Sequence, residues 1–264
     1  MDKSSDALTW RCFLLLGKMQ LILLLLDFLL LPRAEAGEII GGHEAKPHSR
    51  PYMAYLRIRH EKSRKVCGGF LIQEDFVLTA SHCLHGQIEV TLGAHNIKEQ
   101  EDTQQVFRVQ NAFPHQDFIW GKRINDIMLL KLEKKAKLTK AVQLLKLPKG
   151  TTQVKPGTRC QVAGWGRLFP EGTHSKTLQE VEMVVQNDEK CEDRFKKYDR
   201  ATEICVGDPK INNTSFKGDS GGPLVCNNVA QGIFSYVSKN GTTPCIFTKV
   251  SWFQQWIKNT IKQS

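Results

Sequence analysis

The sequence has no Cys-x-x-Cys pair, although eight of its 264 residues are cysteines. This absence argues against a zinc site and against a thioredoxin-like redox motif. The chain also has no long helical periodicity before residue 252 and no motif typical of nucleic-acid-binding domains. Its most apolar stretch, residues 21–31, is interrupted by Asp27 and is too short to cross a bilayer as a helix. We therefore expect no metal, no nucleic-acid partner and no membrane span.

Residues 1–36 predict a leader that the mature protein does not retain. The apolar run 21–31 is followed by the small-residue site 34–36 (Ala-Glu-Ala), which is typical of a secretory signal. Met19 begins a more ordinary signal than Met1 does, so residues 1–18 are interpreted as an upstream extension. The remainder of the chain is expected to be secreted.

The charge balance is basic, with 37 Lys and Arg against 27 Asp and Glu, a net charge of +10. Such a charge attracts polyanions at long range. Two interpretations stay open, namely simple solubility and binding to a sulfated proteoglycan or another anionic surface.

Seven cysteines remain after Cys12 is removed with the leader. A secreted chain with this many cysteines is expected to form disulfides and to leave one thiol over. Six cysteines allow fifteen pairings, so the residues by themselves do not fix the connectivity. The seven are Cys67, Cys83, Cys160, Cys191, Cys205, Cys226 and Cys245.

Short runs with strand-like alternation, separated by turns, predict an all-β protein. The Pro- and Gly-containing stretch near 148–157 indicates a boundary between two halves. Apolar residues recur at helical spacing over 252–261, which predicts a C-terminal helix after paired β-barrels. The predicted strands are 52–58, 67–72, 76–79, 88–92, 106–109, 126–132, 160–166, 178–185, 203–206, 223–226, 231–236 and 247–250.

Three separated segments carry residues suited to nucleophilic catalysis. Ser220 lies in Gly-Asp-Ser-Gly-Gly-Pro, where glycines permit the tight turn that directs the N–H groups of Gly218 and Ser220 at one oxyanion. His82, in Thr-Ala-Ser-His-Cys, is the candidate base that removes the serine proton. Asp126, before an apolar run, is the candidate that orients the imidazole.

The order His, Asp, Ser is that of chymotrypsin-type peptidases. Segments 39–52, 91–100 and 215–220 resemble that family, and most closely the granzyme B and granzyme H branch, the granule peptidases of cytotoxic lymphocytes. The resemblance implies two six-stranded antiparallel β-barrels and a serine endopeptidase domain over 39–264. It further implies a granule-stored monomer that needs no cofactor and acts on peptide and protein substrates in immunity, cytolysis and apoptosis.

The resemblance also implies a pairing scheme and an activation step. A dipeptidyl peptidase would remove residues 37–38 and expose the amine of Ile39. That amine would pair with Asp219 and turn the Gly218 N–H into the oxyanion hole. The implied disulfides are Cys67–Cys83, Cys160–Cys226 and Cys191–Cys205, which leaves Cys245 outside the three bridges.

The candidate specificity pocket differs from that of the relatives. Thr214 resembles the pocket base, where trypsin-like members need Asp to bind Lys or Arg. Cys245 stands where granzyme B carries an Arg that binds substrate Asp, and Val237 stands where wide pockets have glycine. We expect cleavage after small apolar P1 residues, the alternative being larger ones such as Leu, Met or Phe. Lys217 is expected near acidic groups of the substrate or simply in solvent.

Two other functions resemble this pattern closely enough to be kept. One is a mast-cell chymase-like peptidase, and the other is a catalytically silent cationic protein like azurocidin. Sequons at Asn212, Asn213 and Asn240 predict a glycoprotein, with Asn240 the expected acceptor on a loop.

Overall fold

The computed structural model describes residues 42–60, 63–150, 152–166, 173–208, 219–238 and 242–264. These residues belong to one compact unit. No helix in these ranges is long and apolar enough to cross a membrane. Several predicted features lie outside the described residues: the leader 1–36, the dipeptide 37–38, Ile39, Thr214, Lys217, Gly218 and the three sequon asparagines.

The first half forms a closed antiparallel barrel of six strands, preceded by the short strand β1 (His43–Glu44). In β2 the predicted alternation holds only towards the end of the strand, where Ile58 is buried and Arg59 is exposed. Met53 and Tyr55, on the face expected to be exposed, are buried as well, and Tyr55 packs against Trp165 of the second half. Around the barrel the order is β2-β3-β4-β7-β6-β5. The six strands are β2 (Met53–His60), β3 (Ser63–Gln73), β4 (Phe76–Thr79), β5 (Gln87–Leu92), β6 (Gln105–Pro114) and β7 (Met128–Leu132).

The second half is a seven-stranded antiparallel sheet in the order β1-β9-β8-β11-β12-β13-β10. A bridge between Val185 and Val206 joins the end of β9 to β10, so six strands form a ring and β1 lies outside it. The predicted two-barrel, all-β class is confirmed, although the second ring closes through this short contact. Its strands are β8 (Arg159–Gly164), β9 (Gln179–Val184), β10 (Glu203–Val206), β11 (Pro223–Cys226), β12 (Val229–Val237) and β13 (Cys245–Lys249).

Two helices accompany the barrels in the described residues. The C-terminal helix α2 (Gln254–Gln263) was expected, and it buries Ile257 against the core. The short helix α1 (Glu189–Glu192) was not expected, because one turn is too short to show a periodic apolar pattern. Cys191 in α1 forms a disulfide with Cys205 in β10, which holds this turn against the sheet.

The two halves share one hydrophobic core at their junction. Trp165, which follows β8, is almost fully buried and packs edge-on against Tyr55 of β2 at 5.6 Å between ring centroids. Its indole N–H donates to the carbonyl of His95 at 2.9 Å, so the polar end of the ring is also satisfied. The proposed boundary near 148–157 lies between β7 and β8.

Candidate active site

A 3-10 turn at Ser81–Cys83, directly after β4, positions His82. The Cys67–Cys83 disulfide ties this turn to β3. Within it, the hydroxyl of Ser81 donates to the carbonyl of Ile127 at 2.6 Å. This bond joins the residue before His82 to the residue after Asp126, so the two candidate catalytic segments are fixed to each other.

Asp126 is fully buried before β7 and accepts hydrogen bonds on both carboxylate oxygens. Oδ1 accepts from the backbone N–H of His82 at 2.9 Å. Oδ2 accepts from Nδ1 of His82 at 2.7 Å and from the hydroxyl of Ser235 at 2.5 Å. Burial would raise the pKa of Asp126, but the His82 charge and these hydrogen bonds hold that pKa below its usual value.

The ionised Asp126 determines the tautomer of His82. A carboxylate can only accept, so the proton of a neutral imidazole must lie on Nδ1. Nε2 then keeps its lone pair and can accept a proton. The ring of His82 is 8% exposed, which leaves one edge open to the neighbouring cleft.

Ser220 lies in a segment of the second half that is bonded to the first barrel. Its carbonyl accepts from the N–H of Gly68 at 2.8 Å. The next residue, Gly221, has φ of +84°, and a Cβ there would lie 2.1 Å from the Thr79 hydroxyl oxygen. Only glycine fits both the backbone conformation and the space, so the turn after Ser220 is specified by close contact with β4.

Asp219 is buried beside Ser220 and directed at the strand end of β8. Its Oδ1 accepts from the N–H of Gly166 at 2.7 Å. A Cβ on Gly164 would lie 2.1 Å from the same oxygen, so glycine leaves the room that the carboxylate occupies.

His82 and Ser220 line one cleft of about 500 Å³ between the two halves. The lining is rich in basic groups, and no carboxylate contributes to it in the described part of the chain. The other ionisable lining residues are Arg64, Lys65, His85, Arg123 and His174. An electropositive, partly enclosed cleft of this kind favours substrates with acidic groups.

Two candidate pocket residues face each other across neighbouring strands. Val237 at the end of β12 pairs with Cys245 at the start of β13. Cys245 is fully buried and belongs to none of the three disulfides, whereas Val237 is half-buried. Tyr236 and Val237 pair with β13 on one side, Ser235 lies at a bulge between the paired residues, and no described strand pairs with the other edge of Ser235 to Val237. An extended peptide can add to such an edge.

The disulfides join the three pairs that the resemblance implies: Cys67–Cys83, Cys160–Cys226 and Cys191–Cys205. Cys67, Cys83 and His82 are also the one group of three potential metal-ligating side chains found in the described ranges. Both sulfurs are in a disulfide and so are not thiolates, which makes this cluster unsuited to a metal.

Sequence patterns did not indicate every residue of the site. Ser235 lies in the predicted strand 231–236, but its hydroxyl bond to Asp126 was not expected, because the two residues are 109 positions apart. Arg123 was not singled out either, since an arginine in a polar loop usually lies in solvent. Its position three residues before Asp126 is the only local signal.

Glu203 forms a buried polar group with Tyr236 of β12. Its Oε2 accepts from the hydroxyl of Tyr236 at 3.1 Å and from the N–H of Asp199 at 3.0 Å. Burial, which outweighs these hydrogen bonds and the nearby Lys197, raises the pKa of Glu203 to about 7. The folded state therefore binds a proton here that the unfolded chain releases near pH 4.5.

We expect Glu203→Gln to stabilise the protein at alkaline pH but not at acid pH. The stability that the wild-type group contributes is fully present below its unfolded pKa and is lost as pH rises through about 7. Gln keeps an acceptor for Tyr236 and removes the buried charge. The free energy of unfolding should therefore rise by about 2–3 kcal/mol at pH 8. Thermal unfolding should show a rise in Tm of roughly 5 °C at pH 8 and almost none at pH 4.5. The exposed Glu189→Gln is the control, and a pH-independent rise in Tm would contradict the assignment.

Comparisons with known proteins agree with this geometry. The family model described as Trypsin matches residues 39–257. Granzyme B of Homo sapiens is 65% identical over 246 residues, which cover 93% of this chain and 100% of that protein. Granzyme H of Homo sapiens is 60% identical over 246 residues, with the same two coverages. A solved structure described as "Structure of GrC" has a TM-score of 0.82 at 54% identity and covers 85% of this chain and 100% of that one. The chain therefore belongs to the trypsin family of serine endopeptidases, in the branch that contains granzyme B and granzyme H.

Proposed function

We propose that Ser220, His82 and Asp126 form the catalytic triad of this endopeptidase. The observation that carries the proposal is the buried Asp126–His82 pair, held at 2.7 Å, whose imidazole shares one cleft with Ser220. His82 Nε2 takes the proton of Ser220 as Oγ attacks the substrate carbonyl carbon. The N–H groups of Gly218 and Ser220 donate to the oxyanion. His82 then gives the proton to the leaving amine, and water hydrolyses the acyl-enzyme by the same proton path.

The pocket would accept small, uncharged P1 side chains. Val237 is half-buried beside the fully buried Cys245. The two methyl groups of its branched side chain would narrow the mouth of the P1 pocket. Neither residue carries a charge that could bind substrate Asp, Lys or Arg, and Thr214 would add none at the base. Larger apolar P1 residues are the second choice, and they would need Val237 to tilt aside.

Storage in a cytolytic or secretory granule is proposed from the granzyme names of the relatives. A surface on the first barrel carries Arg57, Arg59 and Arg108 against one carboxylate, Glu89, which pairs with Arg57 at 3.1 Å. Its net positive charge supports a sulfated proteoglycan as a granule partner. The net charge of +10 favours the same partner through long-range attraction. The protein is proposed to be a monomer, activated by a dipeptidyl peptidase.

A fluorophosphonate probe and a P1 peptide library together test this function on protein trimmed to Ile39. We expect the probe to label wild type and not Ser220→Ala, because only an activated serine reacts. Peptides with Ala or Val at P1 should be cleaved fastest. Val237→Gly should then raise kcat/KM for Phe relative to Ala by at least about tenfold, since the mouth widens.

Failure of the probe to label the trimmed protein would favour a silent, azurocidin-like binding role over an enzyme. Dominant cleavage after Asp or Arg would leave the triad intact and overturn the pocket assignment. An unchanged Phe-to-Ala ratio in Val237→Gly would show that Val237 does not border the P1 side chain.

A further inference from the structure

The connection between β6 and β7 contains a small hairpin that ends at the active site. Ile119 and Ile124 form an antiparallel bridge, and the N–H of Arg123 donates to the carbonyl of Ile119 at 2.8 Å. Arg123 has φ of +60° and Asn125 has φ of +54°. Residues with a Cβ rarely adopt this conformation, and where they do, it often serves a functional site. The hairpin thus holds the backbone of Arg123 in one defined orientation.

The guanidinium of Arg123 lies beside the triad without being fully engaged there. Its Nη1 is 3.7 Å from Oδ2 of Asp126 and 3.5 Å from the carbonyl oxygen of Ser235. Oδ2 already accepts two shorter hydrogen bonds, so the contact with Arg123 is too long to be a third. The side chain is 32% exposed, and a guanidinium has five N–H donors. Most of its hydrogen-bonding capacity is therefore available to a ligand in the cleft.

The alternative interpretation is a structural ion pair that merely neutralises Asp126. Such a pair would be expected to show short, bidentate contacts, because that is the geometry in which arginine binds a carboxylate tightly. Here the contact is single and long. The neighbouring groups also add positive charge. The pKa of His85 is lowered first by burial and then by repulsion from Lys65, His82 and Arg123. This local excess of positive charge lies in the cleft that Arg123 lines.

The position of Arg123 indicates which part of the substrate it would meet. The carbonyl of Ser235 lies at the start of the open β12 edge, where an extended substrate would pair. The hydroxyl of Ser235 is bonded to Asp126 of the proposed triad, so this carbonyl lies at the end of the edge nearest the bond to be cleaved. The first substrate N–H on the acyl side of that bond, in the amide that joins P2 to P1, is therefore the one that this carbonyl would accept. The guanidinium, 3.5 Å from that carbonyl, therefore adjoins the P2 side chain.

We propose that Arg123 is a specificity-determining residue that binds an acidic side chain at P2. The inference rests on the proposed peptidase function and adds a substrate class to it. In the free enzyme the guanidinium covers the Ser235 carbonyl. A P2 carboxylate would draw it away, form charge-assisted hydrogen bonds with it, and leave the carbonyl to accept the substrate amide.

Two peptides that differ only in Glu or Gln at P2, with the preferred P1 residue held constant, test the inference. Wild type should cleave the Glu peptide with a kcat/KM at least tenfold higher. Arg123→Gln should reduce this ratio to near one, because the Glu peptide loses its charge-assisted hydrogen bonds, and the ratio cancels any effect of the variant that both peptides share. Arg123→Lys should keep part of the preference. Lys122→Gln, which removes an exposed charge from the same hairpin, should keep all of it.

Fluorophosphonate labelling separates the possible failures. If Ser220 is labelled at the wild-type rate in Arg123→Gln and the Glu preference persists, the inference is wrong and the peptidase function stands. If wild type is labelled but cleaves the Glu and Gln peptides with equal kcat/KM, the inference about P2 is also wrong and the peptidase function stands. Absence of labelling in wild type would overturn the peptidase function, and the inference with it.

Discussion

Asp126→Asn is expected to lower kcat by about 10⁴, the loss that the corresponding change causes in chymotrypsin-type peptidases. The carboxylate accepts three hydrogens, from the His82 backbone, from His82 Nδ1 and from the Ser235 hydroxyl. Asparagine has one oxygen. The backbone N–H of His82 can only donate, so the asparagine oxygen should keep accepting from it. The asparagine NH₂ should then face Nδ1 of His82.

An amide donor at Nδ1 changes the tautomer of His82. Nδ1 must then accept, the ring proton moves to Nε2, and Nε2 can no longer take the proton of Ser220. The Ser235 hydroxyl can rotate to accept, so the fold should survive the exchange. The measurement is kcat on the preferred peptide, with the melting temperature recorded alongside. Asp117→Asn, an exposed change in the same connection, should behave as wild type. A loss of less than tenfold in Asp126→Asn would show that Asp126 does not orient the base.

Protein that retains residues 37–38 is expected to be inactive, and trimming to Ile39 should activate it. Asp219 is almost fully buried next to Ser220, in a space that exists because residues 164 and 166 are glycines. The new amine of Ile39 would bring a positive charge to this buried carboxylate. A buried pair of this kind gains little net stability because desolvation opposes it, so it suits a switch. The precursor should lose at least the 10²–10³ in kcat that one oxyanion-hole donor contributes.

Three variants sharpen this test. Asp219→Asn in the trimmed form should be as inactive as the precursor, since the amine then has no charge to pair with. Ile39→Val keeps the amine and a similar apolar side chain, so it should remain active. Gly164→Ala should lower activity by displacing the Asp219 carboxylate. If precursor and trimmed protein label equally with a fluorophosphonate, Ile39 has no role in activation.

The sequence predicted the parts of the site whose signal is local. Ser220 was proposed as the nucleophile from the glycines that surround it, and His82 as the base from the strand end and the cysteine beside it. The end of β2 was also predicted, because burial of Ile58 next to the exposed Arg59 leaves a period of two. In each case the physical constraint falls on residues that are neighbours in the chain.

Other features depend on contacts between distant segments, and these could not be predicted. Glu203 follows a polar stretch, and its burial against Tyr236 arises only when β10 and β12 flank β13. The small contact between Val185 and Val206 closes the second ring without any pattern in either strand. Arg123 is similar: the sequence shows a basic loop, whereas the left-handed backbone directs its guanidinium at the cleft.

The bond between Gly68 and the carbonyl of Ser220 crosses from one barrel to the other, and the Thr79 hydroxyl donates to the carbonyl of Gly68 at 2.8 Å. A slight separation of the barrels would break the bond between Gly68 and Ser220 and displace the hydroxyl oxygen of Ser220. Partial opening at the interface should thus silence the peptidase before either barrel melts.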